Sequence, residues 1–494
     1  MSAQRKDRRD LFFIAALLLG ILILFMLPIG YVLLQNHFAT VRAHRMLVHA
    51  RALLRQDGLP LSVDEMNRLT TPPPLAENAA PIYDKIFMNF NQNPQWSLLE
   101  RQTYPLLDNW LATIPIAPFG FTTSRPSASA MTPAQQESLL HVAQQYVQSA
   151  RAQFPLTAKA VALPYCNFQR NWSLGSNLTF PEYSQAYKLI RLLLLRALLL
   201  DRAGKPLEAL QQIDLGVKVA KQIGSDPVLL AFLTQYAMEG MLQRAWMRVV
   251  ENHANDPQVL QCADKVSCDF GHGPDLIRDM YSEALWTELT SRVAHAEGER
   301  FLEEVNPQLT SPMPLGNSSE SFLTHFWNRL LGKEQSKSLA APTIDLMEAN
   351  MLDYLHNFIQ IEKRYANDPY QAMKAVQQLS ADVSDAATRA PKEYFLVSVM
   401  DSNYQTTAIK GIYLRAWARQ RQLVLDLFKY RLQHHQFPKD LSVFPNEETL
   451  DPFSDRPMRY RRTVQGFVLT SVGERALAAN TSSDELTVRY PLSK

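Results

Sequence analysis

The chain has 494 residues, 46% of them hydrophobic and 20% charged, a composition that excludes a disordered or low-complexity protein and suits two or three globular domains. Lys and Arg number 50 against 48 Asp and Glu, a formal net charge of +2, so bulk charge gives no basis for nucleic-acid binding. Three cysteines, Cys166, Cys262 and Cys268, are too few for a disulfide scaffold.

Residues 1–10 carry Arg5, Lys6, Arg8 and Arg9. The run Leu11 to Leu34 then holds 24 residues without a charge. As a helix it spans roughly 36 Å, enough for a hydrocarbon core of about 30 Å. The run is longer than the core of a cleaved signal peptide, and Tyr31 to Thr40 has no A-x-A pattern, so an uncleaved transmembrane anchor is expected. Only Arg42 and Arg45 follow closely on the other side. The bias places the N-terminus in the cytoplasm and the bulk of the chain outside an inner (cytoplasmic) membrane, in the periplasm. The basic segment Arg42 to Arg55 reads either as a continuation of the anchor helix near lipid headgroups or as a solvated stalk.

Leu59 to Asn93 is rich in Pro and Asn; its prolines predict an extended approach to a short helix at Asp84 to Phe90. Ile114 to Pro133 reads as a second loop. Helical periodicity is clearest from Pro181 to Val250. Tyr183 to Leu200, Leu207 to Ile223 and a third helix from Asp226-Pro227 to Val250 are separated by short breaks, which predicts stacked antiparallel helix hairpins. The run Leu189 to Leu200 contains Arg191 and Arg196 and is too short to span a bilayer, so it reads as a buried helix. Residues 35–305 thus form a stalk and helical body, and 306–343 a linker or surface loop. Residues 344–435 are again helical, with helices at Ile344 to Ala366 and Tyr404 to His434. The tail, 436–494, changes to a strand period, with short strands at Met458 to Arg462, Phe467 to Val472 and Glu485 to Tyr490. The fold class is mainly α, with a small C-terminal antiparallel sheet.

The stretch Leu192 to Leu210 resembles a tetratricopeptide repeat. Ala197 matches its small first-helix position, Gly204 its turn, and Ala209 the small residue where the two helices touch. The signature Trp and Tyr are not matched, and one unit is visible, so a generic helical hairpin is the alternative. In the tail, Phe428-Lys429-Tyr430, Phe437-Pro438-Lys439-Asp440-Leu441, Asp451-Pro452-Phe453, Tyr460 and Phe467 to Gly473 resemble the C-terminal region of major pseudopilins of type II secretion, behind a helical body of the kind seen in large bacterial envelope proteins. The family's calcium loop is not matched, because Glu474-Arg475-Ala476 follows Gly473. The apolar run also lacks the acidic residue of a pilin stem.

The chain holds no H-E-x-x-H, G-x-S-x-G, Walker or G-x-G-x-x-G motif, so nothing points to a catalytic residue, a cofactor or a metal. Cys262, Asp264, Cys268 and His272 are zinc-capable residue types, but the cysteine spacing is wide for zinc. Cys262 and Cys268 read as a small disulfide loop or as thiols. His434-His435 suits a helix C-terminus, and Glu297, Glu299, Glu303 and Glu304 a solvated helix face. Arg196 is a candidate for a buried ion pair with Asp201 or Glu208, or for an anion-binding groove. The expected function is a membrane-anchored, extracytoplasmic helical scaffold binding protein or peptide partners. An accessory role in a secretion or pilus-like system and an envelope enzyme with a noncontiguous site are the alternatives.

Overall fold

The structure, a computed structural model, describes residue 34 and residues 37–111, 131–270, 275–297, 341–473 and 486–491. Most of the expected anchor at 11–34 and of the linker at 306–343 therefore lies outside the described residues. Among the described residues no helix is long and apolar enough to cross a membrane.

Proline sets where many of the helices begin. α1 spans 37–56 and α2 Val63–Leu69. α3 (Ala80–Gln92), α4 (Pro94–Leu111), α5 (Pro133–Ser149), α7 (Pro181–Arg202) and α8 (Pro206–Ile223) each carry a proline in their first turn, where its missing N–H costs nothing. This corrects the reading of the Pro-rich stretch. Pro81 initiates α3 instead of holding the chain extended, so that helix is longer than Asp84 to Phe90. α6 (Gln153–Val161) follows α5, and Thr132 and Gln135 form a capping box at the start of α5.

α7, α8 and α9 (Leu229–Asn252) stack side by side as expected. Ala197 and Ala209 are fully buried between neighbours, and Gly204 takes a positive φ of 70° in the turn between α7 and α8. Leu189 to Leu200 is a core segment: Leu189, Ile190, Leu192 to Leu195, Ala197 and Leu198 are all buried. α10 (Pro257–Phe270) packs on α8. α11 (Leu276–Asp279) and α12 (Tyr281–Glu297) lead to α13 (Ala341–Arg364), which packs on α12.

Two helical stretches exceed the sequence expectation. α14 (Pro369–Arg389), capped by Asp368, fills the interval after α13. α15 runs over 40 residues, Phe395–His434, and starts nine residues before Tyr404. It ends at His435 in the left-handed conformation, φ 60°, a C-terminal cap of the kind expected there. α15 belongs to two apolar cores. Phe395 to Trp417 contributes to one, with α1, α12, α13 and α14; Leu423 to Phe428 contributes to the other, with α3 to α10 and the tail.

α1 is no solvated stalk: Ala43, Leu47, Ala50 and Leu54 form a stripe at helical spacing that is buried against the body. After α15 come a short helix α16 (Asn446–Thr449) and a two-stranded ribbon of β1 (Leu450–Asp451) and β2 (Arg456–Pro457). The sheet orders β3 (Arg459–Arg462), β4 (Phe467–Ser471) and β5 (Leu486–Tyr490) as an antiparallel meander, with Tyr460 opposite Leu469 and Phe467 opposite Tyr490. So small a sheet requires a helix to cover it. Gln420 of α15 donates to the Leu486 carbonyl at 2.8 Å, and the Phe428 ring lies 4.9 Å from that of Tyr490.

A Cβ placed on Gly466, in the turn between β3 and β4, would sit 1.8 Å from the Tyr490 carbonyl oxygen. That neighbour is backbone and cannot rotate away. Gly466→Ala is expected to displace β5, costing roughly 1–3 kcal/mol. Hydrogen exchange should quicken in β4 and β5 while α7 and α8 keep their protection.

Candidate functional site

The sequence-derived site residues separate in space. Cys262 and Cys268 are free thiols on the single helix α10, which corrects the disulfide expectation. Six helical residues rise about 9 Å and leave the two side chains roughly 120° apart around the axis, beyond the reach of an S–S bond. Lys429 pairs with Asp264 at 3.0 Å, His272 lies outside the described residues, and no group of three metal-capable side chains occurs among the described residues. Of the acidic run, Glu299, Glu303 and Glu304 lie outside the described residues, and the Glu297 side chain is not described.

Among the described residues Arg196 forms no ion pair within hydrogen-bond reach of Asp201 or Glu208, although the Glu208 charge acts on it from further away. Its guanidinium lies over the Phe154 ring, 4.1 Å from the centroid, and burial lowers its pKa. Asp201 is taken by Asn252 and His253, both at 2.8 Å, which ties the end of α7 to the end of α9. Glu208 pairs with Lys205 at 3.0 Å. Ala197 and Ala209 serve helix packing, and Gly204 supplies the positive φ of the exposed turn between α7 and α8.

Four buried polar clusters were not anticipated from the sequence. In the first, Arg170 is clasped by Glu182 and Asp226, its Nε lying 3.1 Å from Asp226 Oδ2. Tyr183 donates to the same oxygen at 3.0 Å, and the Arg170 guanidinium lies over the Phe180 ring at 4.7 Å. In the second, Arg51 of α1 bridges Glu288 of α12, at 2.7 Å, and Glu348 of α13, whose Oε1 accepts from Nε at 2.9 Å. Burial raises the Glu348 pKa to about 8 against the pull of Arg51.

In the third, Tyr404 of α15 donates to Glu283 of α12 at 2.8 Å. Glu283 is 3% exposed, and burial raises its pKa to about 7. In the fourth, Arg421 of α15 donates to Gln243 of α9 at 2.6 Å and stacks on Phe270 of α10 at 4.2 Å. Its neighbour Glu239 accepts from Gln235 at 2.7 Å and is pushed by burial up to about 6. These groups join elements far apart in sequence; Glu239, Glu283 and Arg421 are buried, whereas Arg51 remains about a third exposed. They suit architecture better than turnover, because a catalytic acid or base must reach its substrate.

Among the described residues, one open concavity lies in the tail. An open cleft of about 490 Å³ is lined by Asp440, Leu441, Ser442, Phe444, Asn446, Thr449, Pro457, Met458 and Tyr460. Its walls are fixed locally. Asp440 accepts from the Ser442 amide at 3.0 Å, and the donations from Ser442 hold the Asp440 carboxyl below its usual range. Tyr460 donates to the Pro438 carbonyl at 2.9 Å, and Met458 N–H to the Thr449 carbonyl at 2.8 Å. Nearby in sequence, Asp451, 1% exposed, accepts from the Phe453 amide, the Ser471 hydroxyl and the Val472 amide at 3.0, 2.8 and 2.7 Å. The lining combines an apolar wall with a few fixed polar groups. The tail motifs had flagged Asp440, Leu441, Asp451 and Tyr460; Asn446, Thr449 and Met458 carry no separable sequence signal.

Comparison of the chain with protein-family models, with curated proteins and with solved structures finds no match in any of the three.

Glu251, on α9, is 6% exposed, and neither carboxyl oxygen has a hydrogen-bond partner among the described residues. Burial raises its pKa to about 8. Between its ordinary value and about 8 the folded state holds a proton that the unfolded state releases, so this group makes stability fall as pH rises through that window. Glu251→Gln is expected to leave stability unchanged near pH 4 and to raise it by roughly a few kcal/mol at pH 8. Denaturant midpoints measured at both pH values check this. Arg170→Met strands two buried carboxylates and is expected to cost about 3–5 kcal/mol by the same measurement at neutral pH.

Proposed function

We propose that the chain is a membrane-anchored, extracytoplasmic helical scaffold of the bacterial envelope, and that its tail cleft receives a protein or peptide partner. The observation that carries this reading is the open cleft beside Leu441, Phe444 and Met458, mounted on the end of a 40-residue helix. An anchor at Leu11 to Leu34 would hold the body at the membrane, and the stacked hairpins α7 to α9 supply a stiff support. The buried ionisable groups Glu239, Glu283 and Arg421 lie away from solvent, which supports scaffolding over an envelope enzyme.

A second reading, an accessory component of a secretion or pilus-like system, draws on the pseudopilin-like order of tail motifs. Those motifs build one unit, in which Phe428, Phe437, Phe467 and Tyr490 share a ring cluster with centroids 4.9–6.0 Å apart.

The test is affinity capture of the intact protein from gently solubilised membranes, set beside the cleft-filling variant Asn446→Trp. Asn446 is exposed at the rim of the cleft, so the variant is expected to keep the wild-type melting temperature. Partners identified by mass spectrometry should be lost with the variant. Partners equally retained would sink the cleft as the docking site, and an associated secretion apparatus would favour the second reading.

A further inference from the structure

α1 has two faces. At 100° per residue, Ala43, Leu47, Ala50 and Leu54 share the side buried in the body. On the opposite side Phe38 and Val48 are exposed by 63% and 52%. Half-buried Val41 and exposed Arg45 and Ala52 lie in line with them. Exposed Arg42, His44, His49 and Arg55 flank this stripe, and no acidic residue occurs from Leu34 to Gln56. Arg51 is turned to the other side, where it holds Glu288 and Glu348.

We infer that this outward face of α1 is a membrane-surface contact that recognises anionic lipid headgroups, so that the body lies against the bilayer along α1 instead of standing off it. An apolar line flanked by cations is the pattern by which interfacial helices bind: the apolar side chains enter the headgroup–acyl boundary and the cations meet phosphate. The face follows directly on the uncharged run Leu11 to Leu34, and the inference rests on reading that run as an anchor. The spacing Phe38, Val41, Arg45, Val48, Ala52 also fits the seam of a two-stranded coiled coil. Charge decides against a second copy. Two copies anchored in one membrane would run parallel, which brings Arg45 against Arg45 with cationic or neutral flanks on both sides and no acid to relieve them. An anionic surface satisfies the same charges.

The experiment places p-benzoylphenylalanine in the full chain at Leu22, inside the apolar run, or at Val48. The protein is reconstituted in nanodiscs of phosphatidylcholine alone or of phosphatidylcholine with phosphatidylglycerol, and photoadducts are read by mass spectrometry. Leu22→p-benzoylphenylalanine is expected to take lipid in both discs. Val48→p-benzoylphenylalanine should take lipid several-fold more with phosphatidylglycerol, and Arg42→Glu with Arg45→Glu should abolish that excess while leaving the Leu22 adduct unchanged. Lipid at Leu22 with none at Val48, equal lipid at Val48 in both discs, or Val48 crosslinked to a second copy would each overturn the inference and leave the anchor standing. No lipid at Leu22 would overturn the anchor and the inference together.

Discussion

Burial of α15 along nearly its whole length is the constraint on which the other elements depend. At 1.5 Å per residue its 40 residues extend roughly 60 Å, longer than one apolar core is wide. Its first part packs with α1, α12, α13 and α14, and its last turns pack with α10 and the tail sheet. A helix shared by two cores couples them: neither half can reorganise without moving the axis that supports the other.

Such a helix cannot be wholly apolar and remain in one register, and the polar interruptions are where its neighbours are specified. Tyr404 reaches Glu283 of α12, Gln420 reaches the backbone of β5, and Arg421 reaches α9 and α10. A buried polar group is costly when unpaired and close to neutral when satisfied. A slip of α15 by one turn would strand all three, so these contacts select the packing more than they deepen its stability. Arg170 and Arg51 act similarly elsewhere. Arg170 fixes the segment before α7 to the turn before α9, and Arg51 fixes α1 to α12 and α13.

The tail depends on α15 in turn. Three short strands expose too much backbone to persist alone, and here one sheet end lies on the Phe428 ring and the other on Gln420. Asp451 then gathers two amides and a hydroxyl, which ties the ribbon of β1 and β2 to the end of β4.

Local order was legible in the chain because periodicity and punctuation are local quantities. Helical spacing and the Gly204-Lys205-Pro206 break define α7 and α8, and strand alternation locates β3, β4 and β5 to within a residue or two. Small side chains at Ala197 and Ala209 announced a close helix contact for the same reason. Proline misled at Pro81, because its fixed φ suits a helix's first turn as well as an extended chain, and the N-terminal nine residues of α15 escaped because burial, not propensity, carries them. What the sequence determined by itself is the α7–α8 hairpin and its break, the order of the tail strands and the uncharged run at Leu11 to Leu34. The tertiary structure alone decided which charges meet: Arg196 with Phe154, Arg170 with Asp226 and Arg421 with Gln243 join residues 42, 56 and 178 positions apart. Such pairings follow from the shape of the packed core, which no local pattern encodes.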